Sequence, residues 1–148
     1  MPAAAIGQPK LIEADPRVPE PDYTNAPCRQ LSPAQADELA FPERMSPAAT
    51  AFAKAMCRAC PQAPDCLLYV LANPKLHPEG VRAATTPNER EELRNNLCKR
   101  LGNDWVTTAA RSRRAARSTS AATRTSGPRT PISPRPRAAA LNSEKVSA

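Results

Sequence analysis

A chain of 148 residues with a net charge of +7 has room for one small domain. Only five side chains are aromatic and 18 residues are proline, so a core built without a metal, a crosslink or a partner would be thin. The sequence offers no apolar run of membrane-spanning length, no secretory signal, and none of the paired carboxylates, phosphate loops or nucleophilic triads of an enzyme.

Residues 1–23 are punctuated by proline and show no apolar period, which predicts a flexible lead. A domain over 24–105 follows. Ser32-Pro33 opens a short helix that runs to about Leu39, with Ser32 as its cap and Pro33 preset for the first helical position. Phe41-Pro42 ends it. Ser46-Pro47 repeats the start signal, and AATAFAKAMC places Ala49, Phe52 and Met56 on one apolar face that ends in Cys57. A third helix is expected from near Pro64-Asp65 to about Ala72, stopped by Asn73-Pro74. The connection PKLHPEGVRAATT leads to the clearest local signal, in which Thr86 caps, Pro87 takes the first position and Glu89 closes a capping box. That helix carries Leu93, Leu97 and Leu101 on one stripe and ends at Gly102.

After Trp105 the pattern stops. Residues 106–148 are mostly Ala, Ser, Thr, Arg and Pro, and a disordered basic tail is expected there; AARSRRAAR becomes helical only against a partner. The net charge is −2 over residues 1–27, +2 over 28–100 and +7 over 101–148. A basic end behind a nearly neutral domain suits DNA, with a solubilising tail as the plainer reading. The candidate phosphate contacts are Arg111, Arg113, Arg114, Arg117, Arg124, Arg129, Arg135 and Arg137. Arg135-Pro136-Arg137 lacks the glycine of an AT-hook, so non-specific, salt-dependent backbone attraction is the expectation.

The cysteines carry the strongest chemical signal. Cys57-x2-Cys60-x5-Cys66 forms a close group, and 28 residues separate Cys28 from Cys57. Without export the thiols stay reduced, which points to metal ligation over a disulfide scaffold and to a cytoplasmic, or nucleoid-associated, protein. Thiolates suit iron–sulfur clusters and zinc. Structural zinc sites more commonly pair two short spacings, whereas here one short pair stands with an x5 gap and a distant cysteine. Spacing therefore favours an iron–sulfur cluster and leaves zinc as the alternative. No βαβ pattern surrounds the close pair, which argues against a thioredoxin-like site.

The stretches APCRQLSP, CRACPQAPDCLLYVLA and GVRAATTPNEREELR resemble the WhiB-like family of actinobacterial and actinobacteriophage transcription regulators over about residues 24–102. The resemblance implies a small all-α fold of short helices organised around one [4Fe-4S] cluster held by Cys28, Cys57, Cys60 and Cys66, with disulfide formation in the apo form. It also implies action with the C-terminal domain of a principal sigma factor and with DNA, and sensitivity to redox change or nitric oxide. The family's turn reads Gly-Val/Ile-Trp-Gly-Gly, whereas this chain has Gly80, Val81, Arg82, Ala83 and Ala84. That departure weakens the implied sigma-factor contact, because arginine lacks the indole surface and alanine resists positive φ. A metal-stabilised module that sequesters a host factor without promoter control is the alternative function.

Four further residues have ordinary readings. Cys98 is expected to be a half-buried helix residue instead of a fifth ligand, and His77 a polar loop residue. Tyr69 is expected to pack between helices, and Trp105 to close the end of the domain.

Overall fold

Three helix starts in this chain repeat one device, a hydroxyl followed by proline. Ser32 Oγ accepts from the Gln35 amide at 3.4 Å while Gln35 Oε1 accepts from the Ser32 amide at 3.0 Å. Ser46 Oγ accepts from the Ala49 amide at 3.1 Å. Thr86 and Glu89 form the reciprocal box, at 3.4 and 2.8 Å. The computed structural model describes residues 11–40 and 46–125. It contains a short 3-10 turn at Pro27–Gln30 and five α-helices: α1 Pro33–Ala40, α2 Pro47–Arg58, α3 Ala63–Ala72, α4 Pro87–Leu101 and α5 Trp105–Thr125. Among the described residues the only bridge of sheet type pairs Arg82 with Thr85, and no helix is long and apolar enough to cross a membrane.

The all-α expectation holds, and the bounds of α1 to α4 fall close to those read from the sequence. The Phe41-Pro42 stop lies outside the described residues. The core, however, is assembled differently. Its buried cluster comprises Val18, Tyr69, Leu71, Trp105, Val106 and Ala110, flanked by Leu67, Leu68, Leu93, Leu97 and Cys98. Two of the segments expected to be loose therefore supply core residues.

The first is the lead. Val18 is only 4 % exposed. The Asp15 amide donates to Asn73 Oδ1 at 2.6 Å, and Asn73 Nδ2 donates to the Tyr69 carbonyl at 2.9 Å, so the C-cap of α3 also docks the incoming chain. Arg17 bridges Asp15 and Asp104, each at 2.7 Å.

The second is the segment after Trp105. Disorder was the expectation there, yet Val106 to Thr125 continue as α5, which packs on α3 and α4. Trp105, Val106 and Ala110 are each less than 7 % exposed. Full burial of a side chain of valine size is worth about 1.5–3 kcal/mol. Beyond Ala110 the inner face continues through ions: Arg113 and Arg117 both reach Asp65 of α3, at 2.6 and 2.7 Å. An apolar period cannot reveal a helix held in this way.

The apolar face assigned to α2 also needs correction. Phe52 is 56 % exposed, and the residue turned inward is Ala53, with no exposed surface. A methyl side chain lets α2 approach its neighbours closely, which turns the phenyl ring toward solvent. On α4, Leu93 and Leu97 pack against the core but Leu101 is 40 % exposed.

Candidate metal centre

Each cysteine of the expected set is positioned by a separate local feature. Cys28 sits in the Pro27–Gln30 turn and Cys57 in the last turn of α2. The Cys60 amide donates to the Cys57 carbonyl at 3.1 Å, and the Cys60 carbonyl accepts from the Ala63 amide at 3.1 Å, which links the close pair to the start of α3. Cys66 lies in the first turn of α3, its amide bonded to the Gln62 carbonyl at 2.8 Å. All four line one cavity with Tyr23, Ala26, Met56 and Ala83. Its empty space is about 320 Å³, part of it open to solvent. All five cysteines are free thiols; Cys28 is exposed and the others are half-buried. Cys98 instead packs against the core cluster.

The cavity resists charging two of its thiols, Cys28 and Cys66. Burial pushes the Cys28 thiol up, and neighbouring Cys57 and Cys60 push it further. Burial also pushes Cys66 up, opposed by a hydrogen bond from Tyr23. The Tyr23 hydroxyl donates to Cys66 Sγ at 3.9 Å, and burial moves its own pKa well above the usual phenol value, so it stays a donor. Arg82 is the cation that lowers both thiols. A donor set of four soft ligands in an apolar cavity fits a cationic metal centre, which would supply the positive charge that the thiolates lack. Among the described residues no group of three or more His, Cys, Asp or Glu side chains is drawn into the arrangement of a single-ion site.

Beside the cavity, Arg82 and Thr85 exchange both backbone hydrogen bonds, at 2.9 and 2.8 Å, around Ala83 and Ala84. These two alanines have φ of 48° and 61°. A two-residue hairpin with positive φ at both central positions has the form of a type I′ turn, which usually calls for asparagine and glycine. The chain thus keeps the left-handed backbone despite both Cβ atoms, at about 1–2 kcal/mol each.

Arg90 fastens this turn. It is 1 % exposed, and its guanidinium donates to the carbonyls of Gly80 and Thr85, both at 2.9 Å, of His77 at 3.1 Å and of Glu79 at 3.3 Å. Nearby, Lys54 of α2 pairs with Glu89 at 2.6 Å, tying α2 to the capping box of α4. His77 lies edge-on to the Tyr69 ring at 5.5 Å, its Nε2 buried without a hydrogen-bond partner among the described residues. Sequence reasoning missed Arg90, Tyr23 and Asp65 as organising residues. An arginine on a charged helix reads as solvent-facing, and nothing in the residue pattern announces that four carbonyls converge on it.

Of the five positions expected to meet a sigma factor, Gly80, Val81 and Ala83 are buried. Arg82 is exposed and Ala84 half-buried, so these two can present side chains to a partner. The expected DNA-contacting arginines divide similarly. Arg111 and Arg114 are exposed on α5, while Arg113 and Arg117 are paired with Asp65. Arg124 lies in the last turn of α5, and Arg129, Arg135 and Arg137 fall outside the described residues.

No curated protein and no solved structure matches the chain. The family model described as Transcription factor WhiB matches residues 23–93, a span that holds all four cavity cysteines, the Arg82–Thr85 turn and Arg90, and that ends before α5. That match marks residues 23–93 as a WhiB-family domain.

Proposed function

We propose that this chain is an iron–sulfur transcription regulator whose centre is held by Cys28, Cys57, Cys60 and Cys66. The observation that carries the reading is that these four cysteines, drawn from three separate elements and the link between α2 and α3, line a single apolar cavity. A bound [4Fe-4S] cluster would supply positive charge to the thiolates and a centre responsive to redox change or nitric oxide. Tyr23 would keep a hydrogen bond on the Cys66 sulfur, and Arg82 would place a cation near Cys28 and Cys66. The turn around Arg82 would meet the C-terminal domain of a principal sigma factor, and exposed arginines would meet DNA phosphates.

Anaerobic purification with iron, sulfide and zinc analysis tests the centre. Four irons and four sulfides per chain are expected; stoichiometric zinc without iron would replace the cluster with the structural alternative. Serine at Cys28, Cys57, Cys60 or Cys66 should lower cluster retention, since oxygen is a harder ligand than thiolate. Serine at Cys98 should leave retention close to wild type, and a C98S variant that lost the cluster while C28S kept it would refute the ligand set.

Arginine at position 82, in place of an indole, favours a second reading: a metal-stabilised interaction module that sequesters a host factor without promoter control. Titration of the wild type and an Arg82→Trp variant against the sigma-factor domain at fixed salt separates the two. Tighter binding by the tryptophan variant supports the sigma-factor reading, and no binding by either version supports the second.

A further inference from the structure

The ion pairs of α5 sort its arginines into two sets. Asp65 is 8 % exposed, and its carboxylate receives Arg113 Nε at 2.6 Å and Arg117 Nη2 at 2.7 Å. Arg113 and Arg117 are one helical turn apart, so both guanidinium groups reach the same anion from one face. Two arginine forks on a single carboxylate resemble the way such forks hold a phosphate group. The groove around this contact also includes Arg17 and Arg114. Arg17 is already engaged by Asp15 and Asp104. Arg111 and Arg114 lie three positions apart, are exposed, and make no ion pair among the described residues.

We propose that Asp65 acts as an internal stand-in for a nucleic-acid phosphate, withdrawing Arg113 and Arg117 from the binding set and leaving Arg111 and Arg114 as the phosphate contacts of the 111–117 stretch of α5. The inference rests on the DNA-contact reading above and refines it. A phosphate would have to displace a preformed, partly desolvated carboxylate to reach Arg113 or Arg117, whereas Arg111 and Arg114 need shed only water and counterions. Arg124 and the arginines beyond α5 contribute equally to every variant below and cancel in the comparisons.

The test uses the full-length, cluster-loaded chain and an arbitrary DNA duplex, with affinity measured by fluorescence anisotropy across a salt series. Each phosphate contact adds about 0.9 to the slope of log affinity against log salt. An R111Q/R114Q double variant should therefore shallow the slope by about 1.8, equivalent to about a 12-fold smaller affinity change over a fourfold salt range. An R113Q/R117Q double variant should leave the slope nearly unchanged. Asp65→Asn should steepen it by up to about 1.8, while Glu91→Gln, which changes net charge equally on the exposed face of α4, should not. The triple variant D65N/R113Q/R117Q removes both sides of the contact and should retain the wild-type slope, which keeps the test decisive if either partner alone folds poorly. Circular dichroism and cluster absorbance confirm equal helicity and loading. Equal slope losses in the two double variants, or an unchanged slope in Asp65→Asn, would overturn the masking proposal alone. Absence of duplex binding by the wild type at low salt would overturn it together with the DNA-contact reading.

Discussion

Replacing Arg90 removes the fastener of the Arg82–Thr85 turn while leaving the cysteines untouched. Arg90→Met keeps an unbranched side chain that fills part of the same space but withdraws hydrogen bonds from four carbonyls. A hydrogen bond to a charged group is worth about 1.5–3 kcal/mol, but the four share one guanidinium and do not add. The Thr85 carbonyl keeps the Arg82 amide as a second partner. Burial disfavours the charged guanidinium, and the nearby charges of Arg82 and Arg94 oppose it further, so removing the cation recovers part of its desolvation cost. The net loss should be about 3 kcal/mol, a large share of the 5–15 kcal/mol that stabilises a typical domain. Hydrogen exchange on the anaerobic, cluster-loaded protein locates the effect. The Arg82 and Thr85 amides, which close the turn, should lose about a hundredfold in protection, since 1.36 kcal/mol is tenfold, while amides of α1 should change far less. Arg90→Lys keeps the charge but not the fork, and should fall nearer to methionine than to wild type. Unchanged protection at Arg82 and Thr85 in Arg90→Met would refute the claim that this side chain holds the turn.

The strained turn makes the opposite prediction: Ala83→Gly and Ala84→Gly should each stabilise the domain by about 1 kcal/mol in thermal melts, because glycine carries no penalty at positive φ. Lower melting temperatures in both variants would mean that the left-handed backbone is not strained. For Asp65, burial raises the carboxyl pKa, but hydrogen bonds and charge from Arg113 and Arg117 outweigh it and leave the folded value below the ordinary one. The unfolded chain then binds the proton more readily, so the contribution of Asp65 is full above about pH 4 and is lost as pH falls through the folded value. Trp105 fluorescence in denaturant series should show a stability gap between wild type and Asp65→Asn that is constant from about pH 7 to 5 and narrows below about pH 4; a gap undiminished at about pH 3 would count against the pairing. Truncation after Trp105 deletes Val106 and Ala110 from the core and should destabilise the domain and speed cluster loss, whereas truncation after Thr125 should leave both close to wild type. Equal cluster lifetimes in the two truncations, followed by absorbance, would show that α5 is dispensable to the fold.

Local signals made much of the architecture legible. Hydroxyl–proline starts, a capping box and an asparagine–proline stop are short-range devices, and α1 to α4 follow them. The cysteine spacing likewise pointed to residues that share one cavity. What escaped was long-range and polar. α5 is held beyond Ala110 by guanidinium–carboxylate contacts that a hydrophobic period cannot register. Phe52 and Ala53 occupy adjacent positions, and only packing decided that the smaller one faces inward. Arg90 has the sequence appearance of a solvated helix charge, because its partners are main-chain carbonyls carrying no side-chain signature.

These escaped residues attach the outer surfaces of the domain to its cysteine centre. Asp65 directly precedes Cys66, and both lie in the first turn of α3, so a rearrangement of that turn that moves the Cys66 sulfur also moves the carboxylate holding Arg113 and Arg117. On the other side, Ala83 lines the cysteine cavity while its neighbour Arg82 is exposed. Arg90 makes the turn between them stiff, and the two left-handed alanines make it costly to hold. Each surface therefore lies one residue from the lining of the cysteine cavity, Asp65 beside Cys66 and Arg82 beside Ala83.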